Sequence, residues 1–359
     1  MTKPVRVLVV GLGNMGASHA SAYHRNPGFQ IVGLVSRSIR SRDIPAELHG
    51  YPLFDGYEAA LAETRPDAVS INTWPNTHAD FAIKAMEAGA HVFLEKPIAT
   101  TNADAALVVA TARRLRKKLV LGYILRVHPS WIKFIELGKS LGKPLVMRLN
   151  LNQQSSGPAW TGHKNLIDSL IPIVDCGVHY VDVMCQLTGA KPVRVHGIGA
   201  ALWADVKQQN YGHLHVTFDD GSVGWYEAGW GPMMSETAYF VKDVIGPKGS
   251  VSLVPQDQAR GGDGLSGSAD IANHTRTDAI RLHHAAVGPD KHFTKADEIV
   301  SMEDEPGHQA LCDREQAYFL KAITEDLDLS DAMDAAVNSL RIVLAAEQSI
   351  AEERVIRLD

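Results

Sequence analysis

Apolar and polar positions alternate with two different rhythms along this chain of 359 residues. In the first third, short β-branched runs are separated by amphipathic stretches with helical spacing, the pattern of a parallel sheet with crossover helices. The predicted strands are Val5 to Val10, Gln30 to Val35, Asp67 to Asn72, His91 to Leu94 and Leu119 to Gly122. One predicted helix runs from Thr77 to Ala88, with Thr77 as N-cap and Gly89 as its stop. After about Gly122 the rhythm changes to a helix near Pro129 to Lys139, a second from Pro172 to Leu187, and then long runs that pair as hairpins. His213 to Phe218 turns back as Val223 to Trp230 through Asp219-Asp220-Gly221-Ser222, and Tyr239 to Ile245 turns back through Gly246-Pro247-Lys248-Gly249. From Gln256 to about Lys295 glycine, aspartate and histidine replace the apolar pattern, which predicts a long loop, and a helix from Ala332 to Glu352 closes the chain.

The fold class expected is α/β: an N-terminal doubly wound parallel sheet over residues 1–123, then an α+β domain over 124–359 built on a large open, mostly antiparallel sheet. The last helix is placed to pack back on the first domain. A formal net charge of −6, with both signs spread along the chain, offers no basic stripe for nucleic acid. No apolar run reaches the length of a membrane span, and Met1-Thr2-Lys3-Pro4 leads directly into a strand without an export signal. The expectation is a cytoplasmic protein with neither membrane nor nucleic-acid partner. Cys176, Cys185 and Cys312 lack metal-type spacing and read as structural thiols, so no metal is expected.

Gly11-Leu12-Gly13-Asn14-Met15-Gly16 follows the first strand and opens a helix. In that context glycines permit a tight turn and close approach, and free amides at the helix start attract a pyrophosphate. The expected ligand is a nicotinamide dinucleotide. NAD enzymes of this fold place a carboxylate at the end of the second strand, but here the strand runs into Ser36-Arg37-Ser38-Ile39-Arg40. Ser36, Arg37 and Arg40 suit a 2′-phosphate, so NADP(H) is preferred over NAD(H).

Farther along, Ile71-Asn72-Thr73-Trp74-Pro75-Asn76-Thr77-His78 and Gly89 to Pro97, ending in Glu95-Lys96-Pro97, join the glycine turn. Together they resemble the glucose-fructose oxidoreductase/inositol dehydrogenase family, Gfo/Idh/MocA, across the N-terminal domain. A second element, Asp175-Cys176-Gly177-Val178-His179-Tyr180-Val181-Asp182, is similar to that family's helix carrying a catalytic aspartate and histidine four apart. The resemblance implies a Rossmann domain, an open-sheet substrate domain and oxidoreductase chemistry on sugars or cyclitols. It further implies that Asn72, Thr73, Trp74, Pro75, Asn76, His78 and Glu95 line the cofactor and that Lys96 reaches cofactor and substrate. Lys164 to Pro172 departs from the glycine-rich stretch that often precedes the family's helix.

Elementary chemistry gives the same residues roles. An ammonium beside the reacting oxygen stabilises alkoxide character, which suits Lys96 at the carboxyl end of a parallel strand. On a helix opened by Pro172, the residues Val174, Val178, Val181 and Cys185 share one stripe, and Asp175, His179 and Asp182 an adjacent one. His179 then accepts a hydroxyl proton while Asp175 steadies its ring. Tyr123, Arg126, Trp160, His163 and Lys164 are substrate-binding candidates, since aromatic faces and long donors suit a polyhydroxylated ring. Two other classes remain open: a non-catalytic dinucleotide-binding regulator of the same fold, and a glycosidase working through transient oxidation. An open sheet with an apolar face, including the two tryptophans between Val223 and Trp230, needs a cover, and a homodimer or homotetramer supplies one.

Overall fold

The computed structural model describes residues 3–37, 44–234, 241–254, 277–302 and 304–358. The chain divides into two compact units, Met1–Val127 with Pro306–Val337 and His128–Glu305 with Asn338–Asp359. Residues 306–337 thus group with the first unit, and the division at Val337 falls inside the last helix.

The first unit holds six parallel strands: β1 (Val5–Val10), β2 (Phe29–Val35), β3 (Leu53–Phe54), β4 (Ala68–Ile71), β5 (His91–Leu94) and β6 (Leu119–Leu121). Their order is β3-β2-β1-β4-β5-β6. This is the doubly wound order whose direction reverses between β1 and β4, where such folds seat ligands. Val7, Leu8 and Val9 are wholly buried because β1 lies mid-sheet with helices on both faces, so both sides of the strand are apolar. Helices α1 (Asn14–Arg25), α2 (Tyr57–Thr64), α3 (His78–Glu87) and α4 (Asn102–Leu115) make the crossovers. Gly89 follows α3 at φ +95°, as a stop requires, whereas Thr77 makes no side-chain cap bond and closes a 3₁₀ turn instead. The short strand β3 escaped the sequence pattern, so the strand before Glu95-Lys96 is the fifth in chain order.

The second unit begins with α5 (Pro129–Ser140), β7 (Val146–Gln154), α6 (Gly157–Ile167), α7 (Pro172–Asp175) and α8 (Gly177–Thr188). Strands β8 (Pro192–Ala200), β9 (Tyr211–Phe218), β10 (Val223–Gly231), β11 (Lys242–Gly246), β12 (Gly249–Val254), β13 (Ala279–His284) and β14 (Glu298–Ser301) follow. After α9 (His308–Thr324) and α10 (Ser330–Glu352), β15 (Ile356–Arg357) ends the chain. Nine strands form one sheet in the order β14-β13-β12-β11-β7-β10-β9-β8-β15. All neighbours are antiparallel except β7 and β10. Both expected hairpins form, with Val223 opposite Thr217 and Gly246 opposite Gly249, although Tyr239 and Phe240 lie outside the described residues.

Two expectations are corrected. The long loop expected over 256–295 contains β13, whose Ile280 pairs with Leu253 of β12; residues 256–276 of that stretch lie outside the described ones. The single helix expected from Pro172 is interrupted between α7 and α8 at Cys176, although its backbone stays right-handed at φ −82° and ψ −31°. Gly189 ends α8 at φ +62°. The tryptophans of β10 also face opposite ways: Trp230 is buried on the helix-covered side, while Trp225 joins Val146, Arg148, His215, Thr217 and Val223 along a groove on the other.

Candidate active site

At the carboxyl end of β1 the glycine turn is set by steric need. Gly11 has φ +85°, and a Cβ there would come within 2.4 Å of the Asn72 carbonyl oxygen. A Cβ on Gly16 would sit 1.9 Å from the Gly11 oxygen, so the first turn of α1 can lie against the loop only without a side chain. Gly13 differs, since a Cβ there would meet nothing within 4 Å. Gly13 is also the N-cap of α1 and makes no side-chain cap bond. Open space in front of uncapped amides is what a pyrophosphate requires, so these residues fit a dinucleotide. Asn14 is exposed and Met15 half-buried beside that opening. At the end of β2, Ser36 is half-buried and Arg37 exposed, while Arg40 lies outside the described residues.

The ends of β4 and β5 form the next wall. Asn72 is buried, its backbone N–H donating to Val10 O at 2.7 Å and its amide turned toward Ser70. Thr73 pairs its hydroxyl with that of Thr77 at 2.6 Å, and Pro75 opens the 3₁₀ turn that carries the exposed Asn76. Trp74 is 53% exposed, an unusual setting for an indole and the reverse of a core tryptophan. His78 is corrected as a cofactor contact: it is wholly buried, with Nδ1 2.7 Å from Pro97 O and Nε2 3.0 Å from Thr73 O. It braces the two loops against each other, and burial holds its pKa below the ordinary histidine value although both carbonyls favour the charged ring.

Glu95 is likewise buried, and its carboxylate faces inward. Oε1 lies 2.8 Å from His19 Nε2, and Oε2 accepts the Lys96 backbone N–H at 3.0 Å. Burial pushes this carboxyl up, but the His19 bond and the Lys96 charge and N–H outweigh it, holding the pKa at about 2. Glu95, expected beside the cofactor, thus bonds inward to His19 and to the backbone of Lys96, which is half-buried. Tyr123, expected on a substrate surface, is 2% exposed, and Arg126 lies over its ring at 5.9 Å. Sequence reasoning missed His19 and Gln316, whose side chains complete this corner. The ligand atoms of His19, Cys312 and Glu315 lie within 4.8 Å of one another, yet His19 already bonds Glu95 and Gln316 through its two nitrogens. Both ring nitrogens of His19 are thus engaged outside the trio, and Cys312 Sγ lies 3.6 Å from His308 Nε2.

In the second unit Asp175 ends α7 and His179 stands in the first turn of α8, both half-buried and four residues apart. Val174, Val178 and Val181 are fully buried, as their stripe predicts, but Asp182 is also buried at 1% exposure and receives Gln186 Nε2 at 2.9 Å. Cys176 and Cys185 stand outside any disulfide here, as Cys312 does in the first unit. The substrate-binding candidates Trp160, His163 and Lys164 all lie on α6. His163 stacks on Trp230 with centroids 4.6 Å apart, Trp160 meets Trp203 edge-on at 5.8 Å, and Lys164 Nζ stands 5.9 Å above the Trp160 ring. Gln153, at the end of β7, ties this aromatic group to the helix: its Oε1 accepts from Trp230 Nε1 and, at 3.3 Å, from Cys176 Sγ. Gln153 and Trp203 also went unnoticed; the polar run Asn150, Asn152, Gln153, Gln154 inside a strand was the signal for Gln153.

Residues 5–123 match the model of an oxidoreductase family with an NAD-binding Rossmann fold, and residues 135–252 match the GFO/IDH/MocA C-terminal domain. The chain belongs to the GFO/IDH/MocA family. The glycine cradle and parallel sheet of this GFO/IDH/MocA protein are therefore a nicotinamide-dinucleotide-binding Rossmann domain. Over 271 residues it is 30% identical to scyllo-inositol 2-dehydrogenase (NAD(+)) of Bacillus subtilis, covering 70% of this chain and 75% of that one. It is 31% identical over 220 residues to UDP-N-acetylglucosamine 3-dehydrogenase of Acidithiobacillus ferrooxidans, covering 61% of this chain and 65% of that one. A solved NAD-binding oxidoreductase from Klebsiella pneumoniae has the same fold, at a TM-score of 0.78 and 18% identity, with 99% of each chain covered. No described helix is long and apolar enough to cross a membrane.

Proposed function

We propose that this GFO/IDH/MocA protein exchanges a hydride between nicotinamide and a carbon bearing oxygen on a sugar, sugar derivative or cyclitol. The observation that carries the reading is Lys96, held on a braced corner at the carboxyl end of a central parallel strand in the unit that carries the glycine cradle. The names of the inositol and UDP-sugar dehydrogenases quoted above support the substrate class. The bound nicotinamide supplies the hydride acceptor or donor at its C4.

The chain's own groups do the proton work. Lys96 donates to the reacting oxygen and stabilises its negative charge as the carbon–hydrogen bond breaks. His179 accepts the hydroxyl proton and returns it in the reverse direction, and Asp175 orients the ring. Gly11, Gly13, Asn14, Met15 and Gly16 hold the pyrophosphate, and Asn72, Thr73, Trp74, Pro75 and Asn76 flank the dinucleotide. Arg126, Trp160, His163 and Lys164 offer a cation and ring faces to a polyol. Ser36 and Arg37 favour NADP(H), because a guanidinium attracts a 2′-phosphate. The outward face of the nine-stranded sheet, where Val146, Val223, Ile198 and Ile245 are each about two-fifths to half exposed, pairs with a second copy of the chain.

The test is reduction of NAD⁺ and NADP⁺ against a panel of scyllo-inositol, myo-inositol, D-glucose, methyl glucosides and UDP-N-acetylglucosamine. Oxidation of at least one is expected, with His179→Ala removing at least about 99% of turnover while NADPH affinity stays within about twofold. Unimpaired turnover in His179→Ala refutes its role. Dinucleotide binding without turnover on any of them favours a regulator, and release of free sugar without net cofactor reduction favours a glycosidase.

A further inference from the structure

The buried corner behind Lys96 is built from parts far apart in the chain. His19 comes from the middle of α1 and is wholly buried. Its Nδ1 receives the Gln316 amide nitrogen of α9 at 2.8 Å, which leaves Nε2 as the protonated nitrogen and aims that N–H at Glu95 Oε1. Glu95 then holds the Lys96 backbone N–H through its second oxygen. The His19 ring packs against Phe93 of β5, with centroids 4.8 Å apart and the rings tilted by 59°. Gly122, after β6, leaves room for the carboxylate, since a Cβ there would lie 3.1 Å from Glu95 Oε1. The contacts run in series from Gln316 Nε2 to His19 Nδ1, from His19 Nε2 to Glu95 Oε1 and from Glu95 Oε2 to the Lys96 N–H, while Gln316 Oε1 is buried without a hydrogen-bond partner.

We propose that His19 and Gln316 are positioning residues that fix Lys96 for reaction, with Glu95 as the link between them and the lysine backbone. The catalytic half of this inference rests on the role proposed above for Lys96. Its geometric half does not, because it concerns only how firmly the Lys96 main chain is held. A carboxylate buried without its donor must protonate or move; protonation weakens its bond to the Lys96 N–H by removing the charge, and movement breaks it. A reacting group displaced by about 1 Å loses on the order of a hundredfold in rate while substrate binding is little altered.

The experiment uses the full chain labelled with ¹⁵N-lysine, so that each lysine contributes one amide signal and Lys96→Arg identifies that of residue 96. His19→Leu removes the donor to Glu95; His19→Gln keeps an N–H at the same reach. Exchange of the Lys96 amide with deuterium is expected to quicken at least about tenfold in His19→Leu and to return near the wild-type rate in His19→Gln. With scyllo-inositol or UDP-N-acetylglucosamine, whichever the wild type oxidises, kcat should fall about ten- to a hundredfold in His19→Leu with KM within about twofold, and His19→Gln should recover most of it. Should His19→Leu fail to fold, Gln316→Leu removes the partner of Nδ1 from the opposite side and is read by the same two measurements. Unchanged Lys96 exchange in a folded variant overturns the inference, as does equal loss in His19→Gln and His19→Leu. Full turnover in Lys96→Ala instead overturns the proposed role of the lysine, and the exchange result then stands by itself.

Discussion

Gly13 and Gly16 separate two reasons for a glycine in the same turn, and substituting each by alanine tests the dinucleotide site directly. A methyl on Gly16 would lie 1.9 Å from the Gly11 carbonyl oxygen, so backbone must shift. Such overpacking costs about 1–3 kcal/mol in the protein alone. A methyl on Gly13 meets nothing within 4 Å, and its φ of −68° suits any residue. The chain gains up to about 1 kcal/mol from a less flexible unfolded state and loses a similar amount because alanine is a poorer N-cap than glycine. Thermal unfolding without ligand should therefore move by less than about 4 °C for Gly13→Ala. The same methyl occupies the space before the α1 amides, where a phosphate accepts charge-assisted hydrogen bonds. Loss of one such bond is about 1.5–3 kcal/mol, or roughly ten- to a hundredfold in Kd. NADPH and NADH fluorescence titrations measure that loss, and thermal denaturation of the unliganded protein measures the fold. Wild-type affinity in Gly13→Ala would mean that the open space is not the pyrophosphate seat, and the argument from the cradle would fall.

Three further outcomes are expected. Arg37→Glu should weaken NADPH at least about tenfold while NADH changes by less than about threefold; equal changes in the two Kd values refute a 2′-phosphate contact. Burial and the nearby Glu95 charge hold the Glu315 carboxyl well above its ordinary value of 4.5, so folding keeps it neutral where the unfolded chain would ionise it. This penalises folding above pH 4.5 and not below, so Glu315→Gln should raise the unfolding temperature by a few degrees at pH 7.5, corresponding to about 1–3 kcal/mol. That gain should vanish near pH 4; a gain independent of pH would point to packing instead. Val223→Asp, on the outward sheet face, should lower the mass found by light scattering to that of a smaller assembly, and an unchanged mass would remove that face as the interface.

What was legible in the residues follows the range of the interactions involved. β1 and β5 begin and end where their apolar runs do, because strands in the middle of a parallel sheet are covered on both faces and carry no polar alternation to misread. Strand β13 was not legible: Ala279, Ile280 and Leu282 are set among arginine and histidines, and what makes the segment a strand is its pairing with β12 across the intervening chain. The parallel contact of β7 with β10 was hidden for the same reason, since nothing in either strand states which direction its neighbour runs. At the site, the glycine turn and the Glu-Lys-Pro corner could be read because each is a local requirement of backbone shape. The inward bonding of Glu95 was not legible because its partner is 76 residues away in α1, and His19 gained its meaning only from Gln316, 297 residues farther on. A charged residue beside a lysine at a strand end reads equally well as ligand or brace until the far partner is known. Here one partner within the protein faces each oxygen, His19 Nε2 at one and the Lys96 N–H at the other, and that pair of contacts is what supports the brace.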